Sequence, residues 1–172
     1  MDSKLTGDVM LRAVEDGDLA VLFEQQQDPA ANWMAAFTAK DPSDWPAFAA
    51  KWARILGDET VTARAIVCGG RVVGNVGAFV APWSGQREVT YWIGREHWGH
   101  GLATKALTAF MGLLAEGPLH ARAAADNTAS IRVLEKCGFI PVGRERAFAE
   151  ARGEEIEEVI LELRSGTPNQ TL

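Results

Sequence analysis

The residue types with the clearest chemical meaning lie in the stretch WGHGLAT at positions 98–104. It joins a β-branched and aromatic stretch at 89–93, typical of a strand, to an Ala/Leu-rich stretch with helical spacing that begins at Leu102. Glycines let a backbone approach a ligand closely, and the first turn of a helix offers free N–H groups at the positive end of its dipole. The pattern predicts an anion-binding site suited to a pyrophosphate.

Two kinds of ligand carry such a pyrophosphate, a dinucleotide and coenzyme A. Residues 99–104 nearly spell the dinucleotide signature Gly-x-Gly-x-x-Gly, with Thr104 in place of the third glycine. A dinucleotide fold begins with this motif and continues in parallel strand–helix units. Here the motif follows a predicted hairpin turn at Gly69-Gly70, and only one strand–helix pair and one hairpin come after it. The order of elements therefore favours coenzyme A.

Composition limits the class of protein. The chain has 172 residues, of which 47% are hydrophobic and 23% charged, as in a soluble domain with its own core. The net charge of −6 offers no general attraction for nucleic acid. No apolar stretch reaches the roughly 18 residues of a membrane span, and the two cysteines lack metal-site spacing. We predict a single domain over residues 1–164 and a polar tail over 165–172, located in the reducing cytoplasm, with no nucleic-acid or membrane partner.

Apolar periodicity, capping residues and turn signals predict the order of the elements. Strands are predicted at 9–14, 62–68, 71–81, 89–93, 120–125, 140–148 and 155–163. Helices are predicted from the capping residues 15–18 to about 27, and at 45–56, 102–111 and 129–136. Asp28-Pro29 is predicted to end the first helix, and residues 30–41 are predicted to be irregular.

Two segments resemble motifs of one family. Segment 98–104 resembles the acetyl-CoA pyrophosphate loop of the GCN5-related N-acetyltransferase (GNAT) superfamily, Arg/Gln-x-x-Gly-x-Gly/Ala, with Trp98 where Arg or Gln usually stands. Segment 127–139, NTASIRVLEKCGF, is similar to the family's Asn-x-x-Ser/Ala…Glu-Lys-x-Gly-Phe stretch. The Tyr-Trp-Ile lead-in at 91–93 and the Trp98-Gly99 pair resemble the RimJ/RimL-like branch, which acetylates protein N-termini.

The resemblance implies an α/β fold: a mixed, highly twisted sheet of roughly six or seven strands flanked by about four helices. Two central parallel strands, 89–93 and 120–125, are expected to splay apart and admit acetyl-CoA. The pantetheine amides would then pair with Trp92 and Ile93, whose backbone groups need partners, and with the amide of Asn127. The pyrophosphate would lie on the loop residues Trp98, Gly99, His100, Gly101, Leu102, Ala103 and Thr104.

The implied reaction is direct acetyl transfer from the thioester to a primary amine. Glu88 is the candidate base, acting through a water, and the alternative is a strand-edge carboxylate paired with Arg87 or Arg71. The tyrosine that serves as acid in many relatives falls at Leu134, and the only tyrosine is Tyr91. Ser130 is the candidate to bond the sulfur or supply the proton. Its alternative role is a first-turn serine bonded to its own backbone.

The remaining candidates concern the acceptor and a metal. Trp33, Phe37 and Trp83 are predicted to contact the acceptor from loops. No metal is expected, since His97 and His100 have no third ligand with sensible spacing. His120 begins a strand and would be an alternative base if it faced the cleft, but a capping or surface role is expected.

The acceptor is expected to be a protein N-terminus or a small amine. The alternative function is a catalytically silent acyl-CoA binder, and a homodimer is a further expectation from the resemblance.

Overall fold

A computed structural model describes residues 8–164, so the predicted tail and the first seven residues lie outside the described part. The strands in this range are β1 Val9–Arg12, β2 Thr62–Cys68, β3 Arg71–Val80, β4 Arg87–Ile93, β5 Leu119–Ala124, β6 Ile140–Ala149 and β7 Glu154–Leu163. The helices are α1 Asp18–Gln26, α2 Pro29–Ala35, α3 Trp45–Gly57, α4 Leu102–Met111 and α5 Thr128–Lys136. A single 3₁₀ turn, Arg95–His97, follows β4. No helix in this range is long and apolar enough to cross a membrane.

All seven described strands form one sheet in the order β1-β2-β3-β4-β5-β7-β6. Neighbouring strands are antiparallel except β4 and β5, which are parallel. The β4–β5 register, as described, holds the one pair Glu88↔His120. By contrast, β4 is paired with β3 along its whole length, from Gly74↔Ile93 to Val80↔Arg87. Beyond Glu88 the two parallel strands therefore part, and this confirms the predicted splay.

Two hydrophobic clusters pack on opposite faces of the sheet. Val72 and Val73 are adjacent on β3 and belong to different clusters, as expected where successive side chains point to opposite faces. The larger cluster lies under α4 and α5 and includes the fully buried Phe110 and Phe139. The smaller one joins α1 and α3 through Leu22, Phe48 and Trp52. Burial of each such side chain contributes about 1.5–3 kcal/mol, so side-chain packing stabilises this part of the sheet where β4 and β5 are barely paired.

Helix α2 corrects the prediction that residues 30–41 are irregular. The Asp28 side chain accepts a hydrogen bond from the Ala31 N–H, and Pro29 occupies the first turn. The sequence prediction assigns Asp28-Pro29 only to the end of α1, yet an acidic N-cap followed by proline is also a helix start. The helix ends at Ala36, which adopts a positive φ of 66°. Trp33 consequently lies on a helix and not in a loop.

Asp18, at the start of α1, gives the fold a pH-dependent contact. Arg12 of β1 donates to both its carboxylate oxygens, at 2.6 and 2.9 Å, and the Glu15 N–H donates to Oδ2. The hydrogen bond from Arg12, together with that from Glu15, holds the pKa of the buried Asp18 carboxyl below its usual value. Because the folded pKa is depressed, this stabilisation is present above the unfolded pKa of about 3.9 and is lost as pH falls further.

We expect Asp18→Asn to lower the free energy of unfolding by about 1 to 2 kcal/mol at pH 7, because the charged partner of Arg12 is removed. The deficit should shrink below about pH 4, where the wild-type carboxyl also becomes protonated. Urea unfolding at pH 7 and pH 3 measures both values. The exposed Asp16→Asn serves as the control. A deficit of the same size at both pH values would contradict this role.

Candidate active site

The glycine loop before α4 has the geometry of an anion site. Gly99 and Gly101 have φ values of 81° and 72°, in the left-handed region that favours glycine. Gly101 is the N-cap of α4 and provides no capping side chain. The first α-helical hydrogen bond runs from the Lys105 N–H to the Gly101 carbonyl, so the amides of residues 102–104 precede it. A Cβ at either glycine would meet no described heavy atom within 4 Å, so the space above the loop is open.

Trp98 attaches this loop to the end of β4. Its indole Nε1 donates to the Ile93 carbonyl at 2.8 Å, while 43% of the residue stays exposed. The two nearby histidines occupy different environments, because His100 is exposed and His97 is buried with Nε2 3.3 Å from Glu96. Within residues 8–164, no group of three or more His, Cys, Asp or Glu side chains could hold a metal ion.

Successive residues of β4 direct their backbone N–H and C=O groups alternately toward β3 and toward the gap between β4 and β5. The Gly94 N–H donates to the Val73 carbonyl, and the Trp92 carbonyl lies so close to Gly74 that a Cβ there would be 1.9 Å from its oxygen. Trp92 therefore directs its carbonyl toward β3, and glycine is required at position 74. Alternation then directs the backbone groups of Ile93 toward β5, on the side where the strands part. Of the two predicted pantetheine partners, Ile93 faces the gap.

Glu88 lies at the one described residue pair between β4 and β5, opposite His120. It is 5% exposed, and its Oε1 accepts hydrogen bonds from Trp83 Nε1 at 3.1 Å and from Arg122 Nε at 2.9 Å. Arg87, one of the partners considered from the sequence, instead donates to the Ala115 carbonyl. Both described bonds to Glu88 end on Oε1, which leaves Oε2 as the oxygen to receive a proton. The carboxylate is thus held in one orientation by an indole and a guanidinium.

Arg122 of β5 is the hub of this cluster and was not among the predicted residues. Its NH1 group donates to Glu145 at 2.8 Å and to Glu158 at 2.9 Å, and its guanidinium carbon lies 5.8 Å from the centre of a Trp83 ring. Burial lowers the pKa of Arg122, but the hydrogen bonds that it donates to Glu145, Glu88 and Glu158 more than offset this and raise the pKa overall. Three carboxylates surround one guanidinium, so the cluster carries more negative than positive formal charge.

Replacing Arg122 by Lys tests how this hub contributes to stability. Lysine keeps the positive charge but lacks the planar fork that reaches several carboxylates at once. We expect the free energy of unfolding to fall by about 1 to 2 kcal/mol, since a buried carboxylate loses a charge-assisted hydrogen bond. Urea unfolding at pH 7 measures the loss. Arg144→Lys is the matched control because its pair with Glu157 is exposed, and equal losses in both variants would contradict the hub role.

The start of α5 brings three polar side chains together. Asn127 is the N-cap, and its Oδ1 accepts from the Ser130 N–H at 3.2 Å. The Ser130 hydroxyl lies 2.7 Å from the Tyr91 hydroxyl, which also donates to the Ser130 carbonyl at 3.2 Å. Burial raises the pKa of Tyr91 to about 12, although the hydrogen bond with Ser130 opposes the shift. Leu134, at the usual tyrosine position, is 1% exposed in the core.

The three predicted acceptor residues lie in different surroundings. Trp83 is 61% exposed next to Glu88, and its ring packs edge-on against Phe79. Trp33 is 54% exposed on α2, and the Arg152 guanidinium lies 5.0 Å from its ring centre. Phe37 packs against a small cluster of buried alanines.

Arg152 was not predicted from the sequence as a site residue, and His120 differs from its predicted role. Arg152, in the β6–β7 turn, donates to the Trp33 carbonyl and to both carboxylate oxygens of Asp126, and so ties α2 to the residue before Asn127. The expectation of a capping or surface role for His120 was wrong. It is 6% exposed, with Nε2 3.3 Å from Glu162 and a buried Nδ1 that has no hydrogen-bond partner.

Comparison with known proteins assigns this arrangement to a family. A family model described as an acetyltransferase (GNAT) domain matches residues 8–140. The chain belongs to the GNAT acetyltransferases. A search of curated protein sequences found no match. Membership of the GNAT family makes this chain an enzyme, an acetyl-CoA-dependent N-acetyltransferase, and it confirms the predicted resemblance to the GNAT superfamily.

Solved structures share the GNAT fold at low sequence identity. Spermidine N-acetyltransferase from Vibrio cholerae, in complex with CoA and spermine, has a TM-score of 0.77 at 16% identity, over 92% of this chain and 96% of that one. AAC(6')-Ib, in complex with ribostamycin and coenzyme A, has a TM-score of 0.70 at 20% identity, over 91% and 93% of the two chains. RimJ from Mycobacterium smegmatis, in complex with CoA-disulfide, has a TM-score of 0.72 at 20% identity, over 91% and 81%.

Proposed function

We propose that this GNAT chain moves the acetyl group of acetyl-CoA to a primary amine by direct transfer in a ternary complex. The observation that carries the proposal is the parting of β4 and β5 after the single pair Glu88↔His120, with a glycine loop and a helix start directly after β4. A gap between parallel strands offers unpaired backbone groups to the pantetheine amides. The helix start offers N–H groups to the pyrophosphate.

Some of the described residues bind acetyl-CoA, and others take part in the reaction. The amides of residues 99–104 receive the pyrophosphate. The N–H of Ile93, whose carbonyl already accepts from Trp98, receives the pantetheine arm together with the side chain of Asn127. Glu88 removes a proton from the acceptor ammonium through a water, using the oxygen that Trp83 and Arg122 leave open. A backbone N–H of β4 near Ile93 donates to the developing oxyanion. Ser130 approaches the sulfur from the start of α5.

An amine acceptor agrees with the charge beside Glu88. Glu88, Glu145 and Glu158 share the single guanidinium of Arg122, so this side of the gap favours a cation. The exposed rings of Trp33 and Trp83 provide apolar surface for the rest of the acceptor. The similar structures hold spermine or ribostamycin in two cases, both amines, and RimJ represents the branch expected to act on protein N-termini.

A panel of acceptors tests this function. Wild-type protein is incubated with acetyl-CoA and either peptides with free N-termini, polyamines or aminoglycosides, and released CoA thiol is measured. Amine-dependent release is expected, and the acceptor that gives it separates a peptide-modifying enzyme of the RimJ/RimL-like branch from a small-amine enzyme. Tight CoA binding with no amine-dependent release across the panel would instead support a silent acyl-CoA binder, the function favoured by Leu134 at the usual tyrosine position.

Location and assembly are part of the same proposal. We place the enzyme in the cytoplasm, where acetyl-CoA and basic acceptors are both available, and we expect a homodimer. Cell fractionation with an antibody against the chain and light scattering of the purified protein test the two statements separately.

A further inference from the structure

Two exposed tryptophans, Trp33 and Trp83, are each backed by an arginine. The Arg152 guanidinium carbon lies 5.0 Å from the centre of the Trp33 ring, and that of Arg122 lies 5.8 Å from the centre of a Trp83 ring. Even so, Trp33 is 54% exposed and Trp83 is 61% exposed. A guanidinium therefore covers one side of each indole, and the opposite side is open to solvent.

Trp33 lies over the same face of the sheet as Glu88. The Arg122 guanidinium, on β5, bonds to Glu88 at 2.9 Å. Ala124 lies two residues further along β5, so its side chain points to the same face, where it packs with Ala36 at the end of α2. Helix α2, which carries Trp33, therefore covers this face. An amine that reaches Glu88 has the Trp33 ring on its own side of the sheet.

Arg152 fixes the Trp33 ring through a set of directed contacts. Its side chain is 6% exposed, and its Nε donates to the Trp33 carbonyl at 2.9 Å. Its two terminal nitrogens donate to both carboxylate oxygens of Asp126, the residue before the Asn127 cap of α5. One buried side chain thus holds both the backbone and the ring of Trp33 against the start of α5.

We propose that the acceptor is an amine that carries an aromatic ring, that this ring stacks on the open side of Trp33, and that Arg152 is the positioning residue for the contact. The inference rests on the proposed function. A guanidinium on one side holds the indole in a fixed plane, and stacking depends on the mutual orientation of two rings. A linear polyamine has no flat group, and its further ammonium groups gain less from a ring that already interacts with a guanidinium.

Pairs of acceptors that differ in the aromatic ring test the inference. Phenethylamine is compared with cyclohexylethylamine, whose saturated ring is not flat, and a tripeptide that begins with phenylalanine is compared with one that begins with leucine. We expect wild-type protein to have a kcat/KM about 5-fold higher for the aromatic member of at least one pair, and a lower kcat/KM for spermidine. The pair that shows the difference tells whether the acceptor is a small amine or a peptide.

Variants at the two residues test the contact itself. Trp33→Ala and Arg152→Met should each raise the KM for the aromatic acceptor by about 10-fold with an unchanged kcat, and should bring the preference for the aromatic member near one. The double variant should lose no more than either single one, and Trp33→Phe, which keeps a flat ring, should retain the preference. Arg146→Met is the matched control, because Arg146 is an exposed arginine of the same hairpin that bonds to the Glu155 carbonyl.

Two levels of failure are distinguishable. Equal kcat/KM values for the aromatic and saturated acceptors, a higher value for spermidine, or a preference that Trp33→Ala leaves unchanged would overturn the inference while amine acetylation stands. A preference that Arg152→Met leaves unchanged would overturn the positioning role. Amine-dependent release of CoA thiol with none of these acceptors, nor with any other in the panel, would overturn the proposed function itself.

Discussion

Glu88→Gln is expected to lower kcat by about 100-fold or more, because glutamine cannot accept the proton that the amine must lose. Glutamine has the same shape, and its amide oxygen still accepts from Trp83 and Arg122, so the local structure should be preserved. The affinity for CoA should be unchanged, since Glu88 lies where the strands meet and the CoA contacts lie further along the gap. Steady-state kinetics with the active acceptor, together with calorimetric titration of CoA, measures both quantities.

Glu145→Gln is the matched control for this prediction. Glu145 bonds to the same guanidinium at 2.8 Å, but its side chain is 56% exposed at the edge strand and has no assigned role in proton transfer. We expect it to keep the wild-type kcat at saturating acceptor, since the loss of one negative charge beside the gap affects only the KM for a cationic acceptor. If Glu88→Gln also kept its turnover, Glu88 would be a structural partner of Arg122, and the base would have to be sought elsewhere.

Gly101→Val is expected to weaken CoA binding by about 100-fold, from two causes that act together. Gly101 has a φ of 72°, which a β-branched residue adopts only at a cost of about 1–2 kcal/mol. Its Cβ would also project into the open space above the loop, where the pyrophosphate must approach the amides of α4. Equilibrium dialysis with CoA measures the affinity, and thermal unfolding measures the accompanying loss of stability.

Gly70→Val separates the two causes. Gly70 lies in the turn between β2 and β3, has a φ of 76°, and likewise has open space at its Cβ position. Both variants should lose similar stability, but only Gly101→Val should lose CoA affinity. Similar CoA affinities for the two variants would show that the loop before α4 does not receive the pyrophosphate.

The order of elements and the anion loop could be predicted from sequence because their signals are local. Gly69-Gly70, the 98–104 stretch and the Asn127 cap each act within a few residues, and the hairpin, loop and helix that they predict are all present. Helix α2 was missed because one dipeptide, Asp28-Pro29, can end one helix and begin the next. Both roles hold at once, because Asp28 follows the end of α1 and its side chain caps α2.

The partners of the candidate site residues were not predictable in the same way. Arg122 reaches Glu88 across 34 positions, and Ser130 reaches Tyr91 across 39. Such contacts depend on which strands are neighbours and on their register, and no local pattern specifies either. Glu88 itself could be proposed from its place at the start of a strand. Its burial between Trp83 and Arg122 follows only from the assembled sheet.

The central claim is that CoA lies between β4 and β5 with its diphosphate on the helix-start amides. A crystal structure of the protein grown with CoA tests it most directly. The account predicts density for the diphosphate within hydrogen-bonding distance of backbone nitrogens in residues 99–104, and for the pantetheine arm alongside Ile93. Well-ordered CoA bound at another surface, with these strands unoccupied, would contradict it.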